Sequence, residues 1–338
     1  MEVLELILLI LATVLFPGVV FCTYYALFLE WVDRKFFARL QNRVGPWITG
    51  PKGILQPIAD IIKLLAKEDI TPNGVDRAGF VGAPFFALTL ALFSLMFVPI
   101  ASTSGILSFK GDLLIVLFIS TVFGIIIIFA GYVSASRFSI VGTARAGLQF
   151  VGYEIPLFVS AIIPALIARS LTLKEIVEWQ IAHYPLILCF PAMIAFGIFI
   201  VCSLAKLEKL PFDIPEAETE IVAGWATEFS GKKLALFRLS TDLKMLLLAG
   251  LATALFLGGP APWGFTLPAD LNPYLAALIY SIWFVIKTII VVLIMSTLKA
   301  AFARYRIDQA LRGFWRYLTP LSLAILILTP IVAYHFYW

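Results

Sequence analysis

The sequence predicts an all-α integral membrane protein with eight transmembrane helices and an amphipathic helix on the membrane surface. Three observations predict it. The 338 residues are 61 % hydrophobic and only 14 % charged, with a mean hydropathy of +0.99, against about 25 % charged in an average soluble domain. Eight stretches meet or approach the roughly 20 apolar residues that a helix needs to cross about 30 Å of hydrocarbon. The basic residues, finally, are divided unevenly between alternate connections. Such a composition excludes two soluble domains of ordinary size, and the absence of period-two alternation excludes a β-barrel. The chain, 1-338, reads as a single polytopic membrane domain.

The expected spans are 4–29, 79–101, 112–134, 150–169, 184–205, 242–258, 274–298 and 317–337. The first begins Met-Glu-Val-Leu-Glu-Leu, without the basic leader or Ala-x-Ala site of a signal peptide, so it is expected to be retained. Pro260 and Pro262 close the sixth, the shortest. The odd-numbered connections (30-78, 135-149, 206-241 and 299-316) hold 8, 2, 5 and 5 Lys/Arg, and the even ones only Lys110, Arg169 and Lys174. The positive-inside rule therefore places the odd loops in the cytoplasm and both termini on the outer side of the cell membrane. The inner loops are long and dense in charge. That is unexpected for a protein meeting only lipid and water, and it suggests a docking surface for soluble partners. No stretch resembles a nucleic-acid-binding arm.

In the first inner loop, Gly45-Pro46 and Gly50-Pro51 signal turns. Ile54, Leu55, Ile58, Ile61, Ile62 and Leu65 then recur at helical spacing, with Asp60, Lys63 and Lys67 on other faces. This is an amphipathic helix lying along the interface; read alone, it is a membrane-surface anchor. Further on, Arg145 and Glu154 are nine positions apart, so they are not direct partners. Glu154 lies near the start of an apolar span, and a carboxylate there is a functional candidate by default. The segment LEKLPFDIPEAETEIVAGWATEFSG is the richest in acids. Asp213-x-x-Glu216, with Pro215 in the first turn, reads as a capping box opening a helix. Glu216 and Glu220 would then share one face, Glu218 would point roughly opposite, and Glu228 would follow two turns later. Carboxylates held at the edge of the membrane have raised pKa values and exchange protons near neutral pH. The last inner loop places Arg304, Arg306, Asp308, Arg312 and Arg316 beside Trp315. A positive-inside anchor accounts for most of it and leaves Asp308-Gln309 over.

Three cysteines (Cys22, Cys189, Cys202) and two histidines (His183, His335) bound the redox chemistry. An iron–sulfur cluster usually takes four thiolates and a structural zinc four Cys/His ligands. No CxxC occurs, and both histidines lie near one membrane face in the expected topology. No metal site and no redox cofactor are therefore expected in this chain, and the cysteines are expected to pack as small apolar residues.

Four ordered segments carry a resemblance: DRK…QNRVGP…GPKGILQPIADIIKLLAKED, RAGLQFVGYEIP, PFDIPEAETEIVAG…TEFSG…ALF and RYRIDQ. Together they resemble the membrane heel subunit shared by respiratory complex I and the related energy-converting hydrogenases, over essentially the whole chain. The resemblance implies a cofactor-free subunit of eight spans, five of them similar to half of an antiporter fold. It implies docking of a soluble redox arm on the inner loops, with iron–sulfur clusters (and in hydrogenases nickel–iron) carried by partner subunits. Those partners would be a hydrogenase-like large subunit, an iron–sulfur small subunit and antiporter-like membrane subunits. Carried over by position, Arg145, Tyr153, Glu154, Asp213, Glu216, Glu218, Glu220 and Glu228 match an acidic ion pathway and its neighbours. Arg34, Arg43, Asp60, Arg304, Arg306 and Asp308 match docking and channel-mouth positions.

The sequence also departs from that pattern. Asp33-Arg34-Lys35 replaces Glu-Arg-Lys. Lys206 and Lys209 stand where quinone-using members carry a glutamate and an arginine, and Thr241, next to Asp242, replaces a glutamate. These changes lie around the route by which quinone reaches its site. They favour a ferredoxin-linked relative, a membrane-bound hydrogenase or a sulfur-reducing complex, over a quinone-reducing one. The expected mechanism is electrostatic: unit charges about 8 Å apart at an effective dielectric near 20 couple by roughly 2 kcal/mol, more than one pKa unit. On that reading Glu154→Gln or Glu216→Gln leaves assembly intact and weakens ion pumping. The alternatives are a stand-alone secondary transporter, with Pro164 or Pro191 breaking a span and Lys287 at mid-membrane, and a purely structural anchor.

Overall fold

The computed structural model describes residues 11–263, 268 and 272–336. Its long helices are α1 (Val19–Leu40), α2 (Gln56–Ala66), α3 (Arg77–Leu95), α4 (Asp112–Val133), α5 (Arg137–Ala168), α6 (Leu173–Ala182), α7 (Phe190–Lys206), α8 (Gly231–Phe256) and α9 (Pro273–Ala301). The short α10 (Ile307–Gly313) runs through a wide π-turn into α11 (Thr319–Phe336). No strand occurs among the described residues. The fold is all-α, as the hydropathy requires.

Seven stretches are long and apolar enough to cross a membrane: Leu11–Leu40, Arg77–Leu95, Asp112–Val133, Arg137–Ala168, Gly231–Phe256, Pro273–Ala301 and Ile307–Tyr334. α7 is equally apolar but has 17 residues, the short end of what a span requires. The start of the first expected span and the leader reading lie outside the described residues, as does the side chain of His335. Cys22, Cys189 and Cys202 are all buried.

α8 is the hub of the bundle. It packs on α1, α3, α9 and α2, while α5 packs on α7, α4 and α11. The amphipathic helix forms where its periodicity places it. Pro57 occupies its first turn and faces inward, while Leu55, Ile62 and Leu65 stay exposed to the interface.

The expected inner loop 135-149 is a correction. Residues from Arg137 onward already belong to α5, whose 32 residues extend about 48 Å at 1.5 Å each. The helix is longer than the roughly 30 Å of hydrocarbon it would need to cross. Neither Pro164 nor Pro191 breaks a span: Pro164 lies inside α5 and Pro191 in the first turn of α7, where a missing N–H costs nothing. Lys287, fully buried in α9, donates to the carbonyls of Leu257, Gly259 and Ala261 at 2.6, 2.9 and 2.6 Å. It thereby closes the turn after α8 with backbone dipoles.

The 213–228 segment folds differently from its local signals. The capping-box helix does not form: only one helical turn, Glu218–Ile221, survives, with Ala217 before it. Phe212, Ile214, Ala217, Ile221, Trp225 and Phe229 are buried instead, and Phe229 stacks on Phe80 of α3 at 4.3 Å. Their burial outweighs the propensity of the acidic run for helix. The chain turns back at Gly224 (φ +55°), whose missing Cβ would lie 1.7 Å from the Pro215 carbonyl oxygen. The segment docks directly on α5, where a Cβ on Gly142 would meet the backbone nitrogen of Trp225 at 2.5 Å.

Gly142→Ala is therefore expected to destabilise the protein by about 1–3 kcal/mol, as overpacking does. Gly147→Ala, whose Cβ would meet nothing nearer than 3.9 Å, is expected to leave the thermal midpoint unchanged or raise it slightly. Equal midpoints for the two variants would contradict this docking.

Candidate functional site

Residues of α1, α2 and α8 and the 207–226 segment line a cavity of about 320 Å³. Its walls carry five carboxylates (Glu30, Asp60, Glu208, Glu216 and Asp242) and five cationic side chains (Arg34, Lys63, Lys209, Arg238 and Lys244). Burying so many charges is tolerable only if each meets an opposite charge or a dipole.

Partners are arranged in two chains. One runs across the mouth. Lys299 of α9 and Lys209 donate to Asp33 at 3.2 and 2.7 Å, and Ser296 adds a third donor. Lys209 also reaches Glu30 at 3.1 Å, Glu30 accepts from Arg34 at 2.8 Å, and Arg34 donates to Asp60 of α2 at 2.6 Å. The alternation of charge ties α9, α1 and α2 together. Burial works against ionisation of Asp60, yet hydrogen bonds from Arg34 and Gln56 hold its carboxyl below the ordinary range. Burial likewise opposes the charge on Lys209, but Asp33 and Glu30 outweigh it and raise its pKa.

The second chain runs inward. Lys244 of α8 donates to the Lys206 carbonyl at 2.5 Å, and the Lys206 ammonium donates to both oxygens of Glu154 at 3.0 Å. Thr121 of α4 adds a hydrogen bond to Glu154 at 2.5 Å. The Lys206 side chain is fully buried and that of Glu154 14 % exposed. Tyr153 is buried too, with the Lys206 ammonium 5.8 Å from its ring centre.

Three further acid–base pairs involve the 207–226 segment. Arg145 bonds Glu220, Arg304 bonds Asp213, and Arg238 approaches Glu216 at 3.9 Å. Arg145 holds the exposed Glu220 carboxyl below its usual range. Burial raises the pKa of Asp213 despite Arg304, and burial with Asp213 and Glu218 nearby raises that of Glu216 against Arg238. Burial and the Glu216 charge push Glu208 up to about 7, opposed by Lys244 and by the Trp225 hydrogen bond.

Measured against the sequence expectations, Arg34, Asp60, Lys209, Glu216 and Asp242 meet at the cavity, while Tyr153, Glu154 and Lys206 form the buried group behind it. Lys206, one of the two lysines that depart from the quinone-using pattern, is fully buried. The face shared by Glu216 and Glu220 is corrected, since no common helix carries them. Glu218, Arg43, Arg306 and Asp308 are exposed, and Glu228 is half-buried. Gln309 accepts a hydrogen bond from the Arg306 backbone. Glu30, Glu208, Lys244, Lys299 and Trp225 were missed; the run Lys206-x-Glu208-Lys209 in an otherwise apolar stretch was the available signal. His183 stacks on Trp179 at 4.5 Å, and no group of three or more His, Cys, Asp or Glu able to hold a metal occurs among the described residues.

The family model described as NADH dehydrogenase matches residues 12–330. The chain belongs to this family. It is 38 % identical over 299 residues to the H-type subunit of NADH-quinone oxidoreductase from Dehalococcoides mccartyi, covering 88 % of this chain and 80 % of that protein. It is 37 % identical over 313 residues to an H-type subunit of the same name from Syntrophobacter fumaroxidans, covering 90 % of each. With the corresponding protein of Brevibacillus brevis the identity is 35 % over 325 residues, covering 96 % and 92 %. The likeness thus extends over all the segments that line the cavity.

The Lys206–Glu154 pair changes what a single substitution there does. Glu154→Gln strands a fully buried ammonium, so this variant is not neutral for assembly. Lys206→Met is expected to cost about 3–5 kcal/mol, and Lys206→Met with Glu154→Leu to recover most of it. A double-mutant cycle on thermal unfolding measures the coupling; strictly additive losses would contradict a buried pair.

Proposed function

We propose that this chain is the ion-coupling membrane subunit of a complex I-related oxidoreductase. It carries no redox cofactor itself, docks a soluble redox arm on its cytoplasmic loops, and passes the charge changes of electron transfer to ion-translocating membrane neighbours. Both termini lie on the outer side of the cell membrane. The observation that supports the reading best is the cavity: ten ionisable side chains at the inner membrane edge, with a buried Lys–Glu pair behind them. A charge change at the mouth alters proton occupancy deeper in, because neighbours at these separations couple by more than one pKa unit. Val44, Trp47 and Ile48 stand exposed beside Arg43 on the first inner loop, which supports docking of a soluble partner there.

For the electron acceptor, the first reading is quinone. Relatives named as NADH-quinone oxidoreductase subunits support it, and so does a cavity at the small end of ligand-pocket sizes. The second reading is a ferredoxin-linked, membrane-bound hydrogenase or sulfur-reducing complex. Lys206 and Lys209 favour it, because both are committed to ion pairs with carboxylates of the protein. The soluble subunits that copurify discriminate: a hydrogenase-like large subunit with an iron–sulfur small subunit and no quinone reductase activity selects the second.

In vesicles carrying the assembled complex, Glu216→Gln and the paired Glu154→Gln/Lys206→Met are expected to lower ions moved per electron several-fold. Electron transfer from the soluble arm to an artificial acceptor should persist. Unchanged ion-to-electron ratios in both variants would overturn the coupling role.

A further inference from the structure

Glu208 occupies an unusual place in the chain. It lies just beyond the end of α7, with φ +53°, a left-handed conformation that ordinarily selects glycine or asparagine at a helix end. Its N–H donates to the Ala205 carbonyl at 3.1 Å and the next N–H, that of Lys209, to the Leu204 carbonyl at 3.2 Å. This closure aims the residue into the cavity, where Glu208 is part of the wall and accepts from the Trp225 indole at 3.0 Å. A bulky acid held in a backbone conformation that disfavours it is the kind of outlier that points to function.

Lys244 lies across the same cavity. It is 3 % exposed and has no carboxylate within 4.0 Å among the described residues. Its ammonium donates to the Lys206 carbonyl and lies 4.5 Å from the Phe123 ring centre. Two opposite charges thus share a confined space without closing an ion pair.

We propose that Glu208 is the residue that takes up and releases a proton in this cavity, with Trp225 fixing its carboxylate and Lys244 setting its proton affinity. The proposal rests on the ion-coupling reading only for where the proton goes next. The step moves one proton from water to a Glu208 oxygen, leaving a neutral carboxyl, and returns it on release; no electron moves. The charged groups facing Glu208 come from every surrounding element. They are Asp213 and Glu216 from its own connection, Lys244, Arg238 and Asp242 from α8, Glu30 and Arg34 from α1, and Asp60 and Lys63 from α2, with Lys209 beside it. Lys206 and Glu154 face Lys244 from behind. Glu216 and Asp213 favour the protonated form and Lys244 the ionised one.

The test reads Trp225. Ultraviolet resonance Raman spectra of the assembled complex, taken as the difference from Trp225→Phe, report the indole N–H hydrogen bond across a pH range of about 5 to 9. The bond is expected to change with a midpoint near 7. Lys244→Met should move that midpoint up and Glu216→Gln should move it down, each by about one pH unit. Glu208→Gln should remove the titration, and Glu208→Asn, suited to the left-handed backbone, should remove it while leaving the thermal midpoint intact. A flat Trp225 signal, a titration that survives Glu208→Gln, or a midpoint indifferent to both neighbours would overturn the proposal. The measurement needs no turnover, so its failure is separate from any failure of the ion-to-electron test.

Discussion

The constraint on which the rest of the structure depends is the cost of removing charge from water beside a membrane. Each charge placed at the inner edge must meet another charge, a dipole or a hydrogen-bond donor. The chain meets that requirement with ladders rather than isolated pairs. Asp33 takes three donors, Lys209 bridges two acids, and Arg34 bridges Glu30 and Asp60. The ladder also sets tertiary geometry, because its members come from α1, α2, α9 and the loop after α7. Deleting one rung leaves the next unpaired, so the packing of these helices and the cavity are held by the same interactions.

Inside that frame the lysines matter as much as the acids. Lys206 is satisfied by Glu154, whereas Lys244 has a carbonyl and an aromatic face. A protein built only for stability would replace such groups with apolar ones of similar size at little or no cost. Their retention fits a role in which occupancy changes during turnover. The acids also divide by environment: the Arg145 partner holds Glu220 in its ionised form, while burial favours the protonated form of Glu208 and Glu216.

Much of this was legible in the sequence, and the misses share a cause. Span positions, the surface helix and the crowding of acids at one membrane face follow from composition and period, which are local signals. The capping box at Asp213 is local as well, but there tertiary burial won. Phe212, Trp225 and Phe229 needed the core more than Glu216 and Glu220 needed a common helix. The depth of Lys206 was hidden for the same reason, since its partner Glu154 lies 52 positions away. Glu208 was overlooked because a carboxylate between two lysines reads as surface until the left-handed turn after α7 points it inward.

The central claim, that acids at this edge change protonation when electrons pass, is tested most directly by redox-induced infrared difference spectroscopy of the assembled complex. Reduction should produce a protonated-carboxyl band that shifts in deuterated water and shrinks in a variant lacking Glu208 and Glu216. A difference spectrum without such a band, or one whose band is indifferent to both residues, would contradict the account.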